Sequence, residues 1–250
     1  MGDSLIFTWS DIAALIFFIA VWVIFTHVAE GKLLQRESLT SAMNRQRDVW
    51  MHRMARRELR MIDTGIMTGL QQGTAFFASS CLLALGGCFA LLGGSAEVIT
   101  VLSDLPWAQA STRPMFEIKV LGLIVLLAYS FFKLAWSYRL FNYCSILIGA
   151  VPLPKEAEED PAATEAAVRR AARTNILAGK HFNAGLRGIF FSIGYLGWFV
   201  APAVFAATTL FILSVLVRRQ FFSAARQAVI GSAAAHSGPG KGESSRPESQ

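Results

Sequence analysis

The sequence predicts an all-α, polytopic helical membrane protein with four to five transmembrane helices, five preferred, plus cytoplasmic amphipathic helices. Three observations lead there. Hydrophobic residues make up 54% of the 250 and charged residues only 16%, and the mean hydropathy of +0.45 lies outside the range of soluble domains. Several apolar runs reach the roughly 20 residues that cross about 30 Å of hydrocarbon. No stretch of useful length alternates with the period of two that a strand requires.

The first apolar run, residues 9–28, has Asp3 before it and Lys32, Arg36, Arg45 and Arg47 after it. It lacks the basic leader and small-residue cleavage site of a signal peptide, so it reads as an uncleaved span. Residues 39–69 follow as a cytoplasmic helix, on which Met43, Trp50, Met54 and Met61 form an apolar stripe among arginines. Such a helix is expected on the membrane surface or packed under the bundle. The second span covers residues 73–98. Gly65, Gly69 and Gly73 lead into it at four-residue intervals, a spacing of small residues that lets helices approach closely.

Residues 117–138 make the third span, continued by a mildly polar stretch that ends near Gly149. Residues 151–161 form a linker, and Asp160-Pro161 predicts a helix cap with Pro at the first helical position. From Gly188 to Val217 there are 30 residues without a charge. A straight helix of that length would measure about 45 Å, too long for one crossing. With Pro202 in the middle, the run reads as a hairpin of residues 176–200 and 203–217. Residues 1–228 thus form a single helical membrane domain, and residues 229–250, rich in Gly, Ser and Pro, read as a disordered tail.

Short cytoplasmic loops collect Lys and Arg. With five spans, residues 29–72, 139–187 and 218–250 hold 20 of the 23 basic residues on one side. Four spans would move the last five of these across. The expected location is therefore the bacterial inner membrane, multi-pass, with the amino terminus outside and the carboxyl terminus cytoplasmic.

Three cysteines exclude a disulfide framework, and the net charge of +6 comes from residues flanking apolar runs, which speaks for anionic membrane lipids and against nucleic acid. No zinc spacing, haem pattern, phosphate-binding loop or nucleophile elbow occurs, so neither metal nor cofactor is expected.

On the third span, Lys119, Tyr129, Ser130, Lys133 and Ser137 share one helical face. Intramembrane charge is costly unless it meets water or a partner, so this face is a candidate path lining or, with the lysines at either interface, a pair of anchors. At the cytoplasmic end, Arg57, Lys133, Arg139, Asn142, His181, Asn183 and Arg187 form a candidate cluster for an anion or headgroup. Arg offers a planar fork to phosphate or carboxylate, and His changes charge near neutral pH. Gly65, Gly69 and Gly73 are assigned to helix packing, within the chain or against another copy.

The chain resembles a widespread bacterial and plant family of small polytopic membrane proteins catalogued as a domain of unknown function. The likeness covers about residues 10 to 228. It rests on Met43-Asn44 with Arg47, Trp50-Met51, Arg57-Glu58 and Asp63, and on Phe131-Phe132-Lys133 with Trp136 and Arg139. It rests also on Phe141-Asn142-Tyr143-Cys144 through Gly149, His181-Phe182-Asn183 with Gly185 and Arg187, Gly197-Trp198-Phe199, Pro202 and Arg218-Arg219. The resemblance implies an all-helical membrane fold and no assigned activity.

The reading that asks least of these residues is a non-enzymatic binding or scaffold protein whose cationic cluster holds an anionic headgroup or a partner, such as another membrane protein or a second copy. The alternative is an oligomeric channel or transporter lined by the Lys119/Lys133 face. A membrane enzyme on a lipid-like substrate, with His181 as proton carrier, comes third, because Glu58, Asp63 and Cys144 have no diagnostic spacing.

Overall fold

A computed structural model describes residues 7–30, 38–103 and 112–234, and among them there is helix and no strand. The helices are α1 Trp9–Ala29, α2 Leu39–Ala55, α3 Met61–Gly93, α4 Ser95–Ser103, α5 Arg113–Gly149, α6 Pro154–Glu159 and α7 Pro161–Tyr195. A 3-10 turn, Leu196–Phe199, leads into α8 Pro202–Phe221 and α9 Ala224–Ala234. Four helices are long and apolar enough to cross a membrane: α1, α3, α5 and the stretch from Pro202 to Ile230.

Local chemistry explains most boundaries. Thr8 and Asp11 cap α1 reciprocally, each side chain meeting the other's backbone N–H. Asp160 accepts from the Ala163 N–H at 2.9 Å and Pro161 opens α7, as the sequence predicts. The reversal before α8 falls at Ala201-Pro202, where Pro takes the first helical position.

Several expected boundaries move. The stretch of residues 39–69 is two helices parted at residues 56–60, and Arg60 there donates to the carbonyls of Ile148, Val151 and Pro152. The α5 carboxyl end thereby finds partners for acceptors a helix leaves open. Its stripe changes too: Met54 is buried together with Met51, whereas Met43 and Met61 face outward. The helix that carries the second expected span begins at Met61 and stops at Gly93, short of residue 98. Residues 154–159 of the linker are helical, and α9 runs on to Ala234, past residue 229. The remainder of the expected tail, residues 235–250, lies outside the described residues.

Cross-helix contacts give the chain direction. Ser137 of α5 donates to the Ala178 carbonyl of α7 at 2.8 Å, and Tyr195 donates to the Lys119 carbonyl at 3.1 Å, so α5 and α7 are antiparallel. Gln71 meets Ser145 and Ser95 meets Glu117, making α3 antiparallel to α5. Phe18 packs on Phe205 and Gln220 reaches the Ala29 carbonyl, making α1 and α8 parallel. Helices α1, α5 and α8 therefore run one way. The chain returns between α5 and α8 only through α7.

Helix α7 carries Arg169, Arg170, Arg173, Lys180 and Arg187, which keep it from the apolar character of a lone span. Its neighbours supply the surroundings instead. It packs most extensively on α5 and also on α2 and α8. In lipid, where apolar surface gains nothing from leaving water, close packing and interhelical hydrogen bonds carry the association. Gly188 shows how: a Cβ there would collide with the Ser130 hydroxyl and lie 3.3 Å from Tyr129. Toward the Asp11 end, Phe18 sits among Phe191, Tyr195 and Phe205 at ring separations of 5.6, 5.7 and 5.0 Å.

Candidate functional site

Two polar centres stand at opposite ends of this bundle. At the first, Asp11 and Lys119 are buried, 0% and 4% exposed, with 3.9 Å between Oδ1 and Nζ. Trp198 Nε1 donates to Asp11 Oδ1 at 2.8 Å, and Lys119 Nζ donates to the Trp198 carbonyl at 2.8 Å. The helix break after Tyr195 leaves carbonyls without helical partners, and Lys119 takes one of them. Every charge here is answered within the protein.

At the second, α1, α2, α7, α8 and α9 enclose a cavity of about 360 Å³. Arg47 and Asn44 come from α2, Asn183 and Arg187 from α7, and Arg219 and Gln220 from α8. Phe25, Phe182, Leu186, Phe190 and Leu216 supply apolar wall. Among the described residues no carboxylate lines it.

Local packing sets each cation. Arg47 crosses α7 and donates to buried Asn175, whose amide in turn approaches Met67 and Cys144. Gly179 makes the crossing possible, since a Cβ there would lie 2.9 Å from the Arg47 guanidinium carbon. Burial lowers the Arg47 pKa from its ordinary value, a cost that an anion offsets. Arg187 is 8% exposed and donates from Nη2 to Glu30 at 3.2 Å, but its buried Nε has no hydrogen-bond partner. Arg219 lies over the Phe190 ring at 5.5 Å, on the open side.

The seven cationic and polar residues expected to cluster do not form one site. Only Asn183 and Arg187 line the cavity. Lys133 does not line the cavity but lies over the Tyr129 ring at 5.4 Å, within electrostatic reach of His181. Arg139 is exposed, donating to the Tyr143 hydroxyl at 2.6 Å and stacking near Trp136, and Asn142 is half-buried one turn along. Arg57 belongs to a clasp between α2 and α3: its Nη1 and Trp50 Nε1 both donate to Asp63 Oδ1 at 2.7 Å.

The expected path-lining face is the α5–α7 contact. Ser130 and Ser137 are fully buried, bonded to the Leu126 and Ala178 carbonyls, and Lys119 is sealed beside Asp11. Gly65, Gly69 and Gly73, assigned to packing, have nothing within 4 Å of where a Cβ would stand. They lie on an exposed face of α3.

Sequence reasoning left Asn44, Arg47 and Arg219 out of the site. Their signal was the spacing Thr40, Asn44, Arg47, which puts three polar side chains on one helical face.

Together these features define a helical protein with membrane-length apolar helices and a cation-lined cavity at one end. The family model described as "Protein of unknown function, DUF599" matches residues 13–225, and the chain belongs to that family. No curated protein and no solved structure matches it.

Proposed function

We propose that this is a multi-pass protein of the bacterial inner membrane that binds an anionic group, without catalysing a reaction, in the cavity of Arg47, Arg187 and Arg219. The observation that carries the reading is Arg187, a buried guanidinium with an unpartnered Nε, which lines a cavity where no carboxylate stands among the described lining residues. Buried donors without acceptors cost about 1–3 kcal/mol, and more when charged. A bound anion removes that cost. The half-buried amides of Asn44 and Asn183 add donors at the same wall.

In this reading α7 completes a fifth crossing, the basic residues of segments 29–72, 139–187 and 218–250 face the cytoplasm, and the amino terminus lies outside. The cavity then sits at the cytoplasmic headgroup level, where anionic lipid is concentrated.

Purified protein and its Arg187→Gln and Arg219→Gln variants, analysed by native mass spectrometry, test the reading. Wild type is expected to retain an anionic lipid or other anion that both variants lose. Retention of nothing, with no anion raising the melting temperature, overturns it. For the topology, single cysteines at Thr112 and Glu158, on a background lacking Cys81, Cys88 and Cys144, should label from the outer and cytoplasmic sides respectively.

A further inference from the structure

The cavity's charge count distinguishes among anions. Among the described residues three arginines line it, and Arg187 holds one carboxylate, Glu30. Three positive charges against that one negative charge leave a net charge of two among those residues. A carboxylate or a phosphodiester carries one negative charge and would leave a cation uncompensated in a half-buried place. A phosphate monoester carries about −1.5 to −2 at neutral pH and offers three strong acceptor oxygens.

The donors have matching number and placement. Arg187 Nε is buried and unpartnered, and Asn44 and Asn183 have amide groups at the wall. Two helices of sufficient length begin there: α2, whose Leu39 and Thr40 line the cavity, and α9, which Ser223 caps from the cavity wall. Their amino-terminal N–H groups carry partial positive charge, a setting that favours phosphate.

The apolar wall identifies what the phosphate is attached to. Phe25 of α1 and Leu216 of α8 belong to helices long and apolar enough to span the bilayer, and each lies within about two turns of its helix end. Phe190 and Leu186 continue that surface along α7. A small water-soluble phosphate would leave half-buried Phe182, Leu186 and Phe190 against water. A glycerol backbone with the first acyl methylenes covers them.

Resting on the anion-binding reading above, we propose that the cavity binds a lipid phosphate monoester of the phosphatidic acid type, its phosphate held by Arg47, Arg187 and Arg219 and its glycerol and acyl stem against Phe190 and Leu186.

The test uses the full chain in phosphatidylcholine nanodiscs doped in turn with phosphatidic acid, phosphatidylglycerol or oleate, followed by lipid counting in native mass spectrometry. Phosphatidic acid is expected to be retained about tenfold more than the two monoanions, equivalent to roughly 1.4 kcal/mol. The preference should shrink as pH falls below about 6, where the phosphate loses its second charge. Arg219→Gln should abolish it with the melting temperature unchanged, because Arg219 is exposed and contacts only Phe190 among the ring contacts of the bundle. Asn183→Leu gives a second variant without charge change, and it should weaken retention of phosphatidic acid alone. Equal retention of all three lipids, lost in Arg219→Gln, overturns the monoester assignment while the anion-binding reading stands. Displacement of phosphatidic acid by equimolar glycerol 3-phosphate overturns the lipid assignment and makes a soluble phosphate monoester the ligand. Retention of no anion overturns both.

Discussion

Trp198 Nε1 donates a 2.8 Å hydrogen bond to Asp11 Oδ1, joining the turn after α7 to the first turn of α1 across 187 positions of sequence. The same carboxylate caps α1 through Thr8 and lies 3.9 Å from the Lys119 ammonium. One side chain thus fastens three separate segments.

Asp11→Ala is expected to destabilise the protein by about 3 kcal/mol or more, because it strands a buried lysine without its counter-charge. Asp11→Leu combined with Lys119→Met should cost less than Asp11→Ala alone. Thermal melting in one detergent checks the order, and a double variant weaker than the single one removes the ion-pair account.

Two glycine substitutions should behave oppositely. Gly188→Ala drives a methyl into the Ser130 hydroxyl at the α5–α7 contact, and overpacking of this kind costs about 1–3 kcal/mol. Gly69→Ala meets no atom within 4 Å and should leave the melting temperature equal or higher. The same melting assay reads both.

How much of this was legible in the sequence differs by element. Apolar run lengths located α1, α3, α5 and α8, and Asp160-Pro161 and Pro202 marked helix starts, since these depend on a few neighbouring residues. The break at Arg60 was not legible, because the carbonyls to which Arg60 donates there belong to residues about 90 positions away. Site residues fared likewise. Arg187 and Asn183 were found from spacing on one helix, but their companions Arg47 and Arg219 stand on α2 and α8, and only packing brings those helices together. Lys133, Arg139 and Arg57 share the cations' chemistry and face elsewhere.

The contact between α2 and α7 should respond to pH. Nδ1 of His52 faces the Asp48 carbonyl at 2.9 Å and Nε2 faces Glu165 Oε1 at 3.4 Å, the same oxygen to which Arg169 Nε donates at 2.7 Å. The hydrogen bond to Asp48 and the carboxylates of Glu165 and Asp48 raise the His52 pKa above its ordinary value. Glu165 is held below the usual carboxylate range, by its hydrogen bond to Arg169 first and to His52 next. A raised pKa in the folded state means that the stabilisation is complete below about pH 6.5. It is lost as pH rises through the raised value. Protection of α2 amides, taken relative to the base-catalysed intrinsic exchange rate, should fall over that rise in wild type and stay level in His52→Ala; parallel curves would remove His52 as the cause.

Arg60→Ala should open the last turn of α5. Three carbonyls lose a charged donor, with an expected cost of about 1.5–3 kcal/mol. Arg60→Lys should restore less than half of it, because an ammonium lacks the planar fork that reaches three acceptors at once. Exchange of backbone amides in residues 145–149, compared among the three proteins, measures the opening.

Cysteine labelling separates a hydrated route from a packed contact. Single cysteines at Ser130 and Ser137 should stay silent toward a small water-soluble thiol reagent, whereas one at exposed Arg139 should react. Reaction at both buried positions would mean that water reaches the α5–α7 contact.

The arginine-bearing composition of α7 has a consequence for biosynthesis. A segment with Lys180 and Arg187 in its interior partitions poorly from the translocation machinery into bare lipid, where each such charge costs about 2.5–3.5 kcal/mol at the bilayer centre. Its glycines and small side chains have to find α5 already in place. If α7 makes the fifth crossing proposed above, apolar α8, emerging next, supplies the pull that carries both across. Insertion of the carboxy-terminal half is thus expected to be a single late event that waits for the ribosome to pass residue 221, so truncation between α7 and α8 should leave α7 on the side where it was made.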